Sequence, residues 1–315
     1  MKVFITGGTG NIGQYVTLAV LKNGHEAVVL SRTPKKHSLM GKKAKLVKGK
    51  ITDYDLIKNY VKGCDAVIHI ALGWGNEPAS MLINDTAAAV KLLEIAEKAG
   101  VKKFIYTSST AAMGQMRHNM DETYVNLPID LYGSTKAASE AFVLGFRKYY
   151  GKDKEVKMKR NIIRPGYTYS NPAFPGGSTE PDARFRNIAS AIVKNKPIEL
   201  TKHDGTQFIS AEEIALVYLR LLESDFNEEV FLALGNTWYS WEDIADTMLM
   251  YSPKSKSKVV LKDLGWGSDP MLFNVKKMEN ELGLSFDTRP ELHEHIKWCL
   301  EQASHLGKKS KKSKK

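Results

Sequence analysis

The chain has 315 residues, enough to bury on the order of three quarters of its unfolded surface in one large domain or two smaller ones. Hydrophobic residues at 43% and charged residues at 26% are ordinary for a folded globular protein and exclude a largely disordered or fibrous chain. The net charge of +11 suggests a polyanionic partner, but Lys308, Lys309, Lys311, Lys312, Lys314 and Lys315 supply six of those charges and leave +5 for the body, so the basicity belongs largely to a tail.

The first expected element is a strand at 2 to 6, followed by Thr6-Gly7-Gly8-Thr9-Gly10-Asn11-Ile12-Gly13 and an amphipathic helix over 12 to 23. Glycines at 7, 10 and 13 allow a sharp turn and a close approach of backbone to a pyrophosphate. The helix start then offers free N–H groups and partial positive charge to it. A second strand at 26 to 30 ends in Ser31-Arg32, with Lys35 and Lys36 beyond. An acidic residue there would accept ribose hydroxyls; a cation instead favours a 2′-phosphate, so NADP is the expected cofactor and NAD the alternative. Strands at 45 to 47, 66 to 70 and 103 to 107 alternate with helical patterns, among them 80 to 99, where Leu82, Thr86, Ala89, Leu93 and Ala96 keep the helical period until Gly100. Such alternation specifies a doubly wound parallel sheet of the α/β class, a Rossmann arrangement.

The fifth strand ends in Tyr106-Thr107-Ser108-Ser109-Thr110, at the sheet edge where ligands of doubly wound folds bind. Downstream, Tyr132 and Lys136 lie four apart on a helical pattern and share a face. Tyr54/Lys58 and Tyr150/Lys154 have the same spacing, but neither follows such an edge. A carbinol carbon gives up hydride only if its hydroxyl proton is removed, and a phenol with a pKa near 10 is a poor base at neutral pH. Lowering it by about three units takes roughly 4 kcal/mol, about what one ammonium at 4 Å contributes at an effective dielectric of 20. Lys136 is placed to do this, and Ser109 to hold the reacting oxygen toward Tyr132.

A strand at 161 to 164 precedes Pro165 and Gly166, and the Pro/Gly-dense stretch 171 to 182 marks a boundary. Helical patterns near 184 to 195, 211 to 224, 240 to 250 and 290 to 303, with a strand at 229 to 234, follow. The expected division is a cofactor-binding part over 1–170, a smaller α/β substrate-binding part over 171–306, and a disordered lysine-rich tail over 307–315. Trp74 and the 171 to 182 loop are candidates for substrate contact. Met113, Met116 and Met120 read as packing residues. His293 and His295 are two apart on a helix and point to different faces, so no metal site is expected. Cys64 and Cys299 form no disulfide or zinc pattern. A strand beginning directly after Met1 leaves no room for a signal peptide, and no run approaches the roughly 18 apolar residues of a membrane span; a cytoplasmic protein is expected.

Taken in order, TGGTGNIG, VIHIALG at 67 to 73, NDTAAAVKLLEIAEKAGVKKFIYTSS at 84 to 109, YGSTK, IIRPG at 162 to 166 and FISAEEIA at 208 to 215 resemble the extended short-chain dehydrogenase/reductases, the NAD(P)-dependent epimerase/dehydratase family, over Met1 to about Gln302. The resemblance implies that Gly7, Gly10, Asn11, Ile12 and Gly13 meet the pyrophosphate, Ile51 the adenine, Ala71 and Asn84 the middle of the cofactor, and Pro165 and Gly166 the nicotinamide; Arg32, read from the end of the second strand, and the Tyr132/Lys136 pair complete the expected cofactor set. It also implies Ser109, Tyr132 and Lys136 as the catalytic residues and a homodimer built on helices near 80 to 99 and 131 to 150. Three departures stand out. Ser109 is followed by Thr110-Ala111 where sugar-nucleotide dehydratases carry Asp-Glu, which argues against 4,6-dehydration. Thr206-Gln207 occupy the place of an arginine that many sugar-nucleotide members use for the diphosphate, and Lys50 replaces the usual Asp before Ile51. The expected activity is nucleotide-sugar epimerisation. Reduction of a smaller carbonyl compound by NADPH is the alternative enzyme, and a non-catalytic dinucleotide sensor, its tail holding RNA or an acidic membrane, is the alternative outside catalysis.

Overall fold

The computed structural model describes residues 1–34, 40–146, 156–174 and 179–312. Lys35, Lys36, the Tyr150/Lys154 pair and part of the 171 to 182 loop lie outside the described residues.

Apolar runs of four to seven residues form seven parallel strands. In chain order these are β1 (Lys2–Thr6), β2 (Glu26–Ser31), β3 (Ala44–Lys48), β4 (Ala66–His69), β5 (Lys103–Thr107), β6 (Lys159–Pro165) and, much later, β10 (Val230–Ala233). They lie in the order β10-β6-β5-β4-β1-β2-β3, and each pairing is parallel. Parallel strands buried on both faces need no polar alternation, which is why Val3, Phe4, Ile5 and Val28, Val29, Leu30 read as unbroken apolar runs. The chain reverses direction across the sheet between β1 and β4, and the crevice at their carboxyl ends is where a doubly wound sheet takes a ligand.

Five elements cover the sheet or frame the crevice. These are α1 (Asn11–Lys22), α2 (Tyr54–Val61), α3 (Pro78–Met81) continuing into α4 (Ala88–Lys98), and α5 (Leu131–Gly145). Between α3 and α4 the residues Leu82–Ala87 form a π-helical turn, so the helix expected over 80 to 99 carries one widened turn. The widening shifts the buried stripe: Met81 is buried, whereas Leu82, expected on the core face, is exposed.

The remainder includes β7 (Tyr167–Tyr169), α6 (Arg184–Val193), β8 (Ile198–Thr201), β9 (Gly205–Ser210), α7 (Ala211–Glu223), β11 (Trp238–Ser240), α8 (Trp241–Met250), β12 (Val259–Lys262), α9 (Lys276–Leu282) and α10 (Arg289–Lys312). A three-stranded sheet β11-β9-β7 and the pair β12-β8 are built from it. The sequence places a single boundary at 170/171, yet β10 joins the outer side of β6 and α7 packs on α1, so this later part of the chain returns to the first layer. The reason is apolar demand: Ile214, Val217, Tyr218, Leu221 and Leu222 bury against the same cluster as Val16 and Val20 of α1. The last helix, expected to end at 303, extends to Lys312 into the segment expected to be disordered, consistent with the good helix propensity of lysine. Met113 and Met120 are buried in the cluster under the sheet, with Met116 packed against it.

Candidate active site

The glycine turn follows β1 directly. Gly7 has a left-handed φ of 71°, and a Cβ there would stand 2.8 Å from the Ala71 amide nitrogen at the end of β4. A Cβ on Gly13 would collide with the Gly7 carbonyl oxygen, so α1 can start this close to the strand only with glycine at that position. Gly10 is the N-cap of α1 and brings no side chain to the helix end, where the first N–H groups have no intrahelical acceptor. A narrow, side-chain-free cradle over a helix N-terminus fits a pyrophosphate. Ala71 is fixed beside it, because its N–H donates to Thr6 Oγ1 at 3.2 Å. The hydroxyls of Thr9 and Ser31 share a hydrogen bond of 2.8 Å, which sets the end of β2, and hence exposed Arg32, next to the turn.

Other members of the expected cofactor set are placed differently. Asn11 turns its side chain to the protein: Nδ2 donates to the Thr168 carbonyl at 2.8 Å and Oδ1 accepts from Ser170 Oγ at 2.6 Å. Ile12 and Ile51 pack against the two core clusters that flank the sheet. Pro165 ends β6 and Gly166 N–H donates to the Ala233 carbonyl, so both sit at the carboxyl edge. Asn84 Nδ2 donates to the Trp74 carbonyl at 3.4 Å, on the loop after β4. The residue that faces inward is its neighbour, Asp85.

Ser109 leaves β5 as the N-cap of a short 3₁₀ turn, Thr110–Met113, its Oγ accepting from the Ala111 N–H at 3.2 Å. The first turn of α5 is capped by Asp130, which accepts from the Gly133 N–H at 2.6 Å. A Cβ on Gly133 would collide with the Ala111 carbonyl, and this close approach brings half-buried Tyr132 to the turn that begins at Ser109. One helical turn on, Lys136 is buried; its Nζ lies 5.7 Å from the Tyr132 ring centroid, 5.4 Å from that of Tyr106 and 3.3 Å from Asp85 Oδ2. Burial works against the Lys136 charge, but Tyr106, Asp85 and Tyr132 outweigh it and hold the ammonium above its ordinary range. Burial pushes the Tyr106 phenol up to about 12, so it stays protonated. His69, at the end of β4, shares a 2.7 Å hydrogen bond with Thr6 Oγ1. Burial first, then the Lys136 charge, lower its pKa to about 4, so this histidine stays neutral.

The decoy pair shows what spacing alone is worth. Tyr54 and Lys58 also share a helix, but the Lys58 side chain is 55% exposed and donates to Asp55 at 2.8 Å, whereas that of Lys136 is 4% exposed. His293 shares a hydrogen bond with Tyr251 and His295 with Asn171, so the two diverge as their spacing requires. Trp74 is 63% exposed on the loop that follows β4. Asp85 is the residue that reasoning from sequence passes over. Its signal was an acid four before Ala89 and seven before Leu92, on an otherwise apolar stripe.

The model of the NAD dependent epimerase/dehydratase family matches residues 3–233. The chain belongs to this family. It is 33% identical over 209 residues to a 3β-hydroxysteroid dehydrogenase/Δ5→4-isomerase of Mycobacterium tuberculosis, covering 61% of this chain and 52% of that one. The chain thus spans about half the length of the curated relatives it matches first. With a GDP-mannose 3,5-epimerase of Arabidopsis thaliana it shares 25% identity over 275 residues, 81% of this chain and 70% of the other. Among solved structures, a UDP-glucose 4-epimerase from Thermotoga maritima with UDP-glucose superimposes with a TM-score of 0.78 over 96% of this chain and 99% of that one, at 19% identity, a likeness of fold. The chain is thus a member of the NAD dependent epimerase/dehydratase family with an α/β Rossmann architecture.

Proposed function

We propose that the protein catalyses reversible hydride transfer at a carbinol carbon, with Tyr132 as the acid/base, Lys136 as the charge that tunes it and Ser109 as the hydroxyl that orients the reacting oxygen. The observation that carries the reading is the buried, ionised Lys136 lying against the Tyr132 ring, at the sheet edge that also carries the Gly7 cradle. A nicotinamide dinucleotide held at that cradle would take up or return the hydride. The residues do the rest. Tyr132 as the phenolate removes the hydroxyl proton while the alcohol is oxidised and as the phenol returns it on reduction, Lys136 stabilises the phenolate that precedes the first step and follows the second, and Ser109 Oγ keeps the oxygen within reach.

For the substrate, a carbonyl or alcohol without a nucleotide diphosphate is favoured by Gln207. Its amide is committed to the fold: Nε2 donates to the Gly235 and Phe273 carbonyls at 3.0 and 3.3 Å, and Oε1 accepts from the Phe273 N–H at 2.6 Å. It therefore has no free donor for a diphosphate at the place where many sugar-nucleotide members carry an arginine. Epimerisation of a nucleotide sugar is the second reading, supported by the 25% identity to a GDP-mannose 3,5-epimerase over most of the chain. Incubating the protein with reduced or oxidised cofactor and either nucleotide sugars or simple secondary alcohols and ketones separates the two. A reductase consumes reduced cofactor in step with product; an epimerase interconverts sugars with none consumed.

NADP is the proposed cofactor form, because exposed Arg32 stands where an acid would otherwise repel the 2′-phosphate. A charge-assisted contact of this kind is worth about 1.5–3 kcal/mol, or roughly tenfold to a hundredfold in affinity. Fluorescence titration is expected to show NADPH bound that much more tightly than NADH, and Arg32→Ala to erase the difference by weakening NADPH alone. Equal affinities in the wild type would make Arg32 an ordinary surface charge.

A further inference from the structure

We propose that Asp85 is a positioning residue that serves two parts of the site at once, holding the buried Lys136 ammonium with one carboxylate oxygen and the loop after β4 with the other. The proposal rests on the assignment of Tyr132 and Lys136 as the proton-handling pair.

Asp85 sits on the π-helical turn and its side chain is 1% exposed. Oδ2 lies 3.3 Å from Lys136 Nζ, and Oδ1 accepts from the Gly73 N–H at 3.0 Å. Gly73 lies between Leu72 and Trp74, both exposed apolar residues of the loop that leaves the cofactor edge at Ala71. The approach is close enough that a Cβ on Gly73 would collide with the Asn84 carbonyl, so loop and helix are fitted to each other at the residue before Asp85. The groups around Lys136 come from every packed element: His69 from β4, Tyr106 from β5, Asp85 from the π turn, Tyr132 from α5 and Tyr218 from α7. Of these, burial keeps His69, Tyr106 and Tyr218 uncharged, and Asp85 is the carboxyl group of the set. A buried ammonium without a counter-ion reverts toward its neutral form, and a neutral Lys136 no longer stabilises the Tyr132 phenolate. The second oxygen ties this charge balance to the loop that overhangs the carboxyl edge.

The two roles separate by substitution. Asp85→Asn keeps an oxygen acceptor for Gly73 but removes the charge; Asp85→Ala removes both. In protein carrying 13C-labelled lysine, with the Lys136 resonance assigned by its loss in Lys136→Met, Lys136 in Asp85→Asn is expected to release its proton about one pH unit or more below the wild type. Chymotryptic cleavage at Leu72 or Trp74 is expected to be about tenfold faster in Asp85→Ala, the equivalent of one lost hydrogen bond to the loop, and to rise less in Asp85→Asn, which keeps a neutral acceptor. If Asp85→Asn does not fold, Asp85→Glu takes its place: the charge stays and Lys136 titrates as in wild type, while the displaced carboxylate frees the loop and cleavage rises. An unmoved Lys136 titration in Asp85→Asn overturns the charge role, and equal cleavage of Asp85→Asn and Asp85→Ala overturns the loop role. Wild-type protein that turns over no alcohol, ketone or sugar would instead count against the proposed chemistry, since the lysine titration is read without substrate.

Discussion

Tyr132→Phe is expected to lower kcat at least about a hundredfold while leaving the affinity for the dinucleotide within severalfold. The substitution keeps the ring against the Lys136 ammonium and removes only the oxygen that carries the proton, so folding and cofactor binding should survive. Tyr54→Phe is the control. It has the same sequence spacing to a lysine, but that lysine is exposed and paired with Asp55, and the variant is expected to match wild type. Steady-state turnover under identical conditions decides the matter, and comparable rates for Tyr132→Phe and wild type would remove Tyr132 from the mechanism.

The second large effect concerns what holds α5, and with it Tyr132 and Lys136, against the sheet. Arg164 of β6 donates to both oxygens of Glu140 on α5, at 2.9 and 2.8 Å, and to Asn126 at 3.0 Å; Asn126 in turn donates to Glu140 at 2.6 Å. The Arg164 and Glu140 side chains are 5% and 2% exposed. Removing one partner of a buried pair leaves the other charged and desolvated, which typically costs about 3–5 kcal/mol. Glu140→Ala is therefore expected to lose roughly that much stability in urea unfolding, within the range for a broken buried pair. Replacing both partners with Arg164→Met and Glu140→Leu should recover most of it, because no charge is then stranded. A loss below about 1 kcal/mol in the single variant would show the pair to be solvated like a surface bridge.

The seven-strand sheet was readable wherever burial on both faces demanded continuous apolar residues, as in Val3–Ile5 or Val28–Leu30. Elements held by few buried residues were not. In α2 only Ile57 and Val61 are buried, and in α9 only Met278 and Leu282, too few to establish a helical period. Strand β7 follows Pro165-Gly166 and is three residues long, so Tyr167-Thr168-Tyr169 reads as loop until Phe208, Ile209 and Ser210 of β9 are seen beside it. At the site, glycine spacing and the Tyr132/Lys136 pair were legible because each is a local pattern. Asp85 was not, since its importance arises from a lysine 51 positions away and from a widened helical turn that no short-range signal announced.

The return of β10 and α7 to the first layer sets an order of events during synthesis. Chains emerge from the N-terminus and fold as units when those units are complete. Here six strands of the large sheet are made by Pro165, yet β6 then stands as an open edge until Val230–Ala233 arrive, and the face of α1 that meets α7 waits for Ala211–Glu223. An uncovered parallel edge carrying Ile162 and Ile163 is a template for pairing with another chain. A chain stopped near residue 170 carries the first six strands with that edge uncovered, and is expected to self-associate through it where the full-length protein does not.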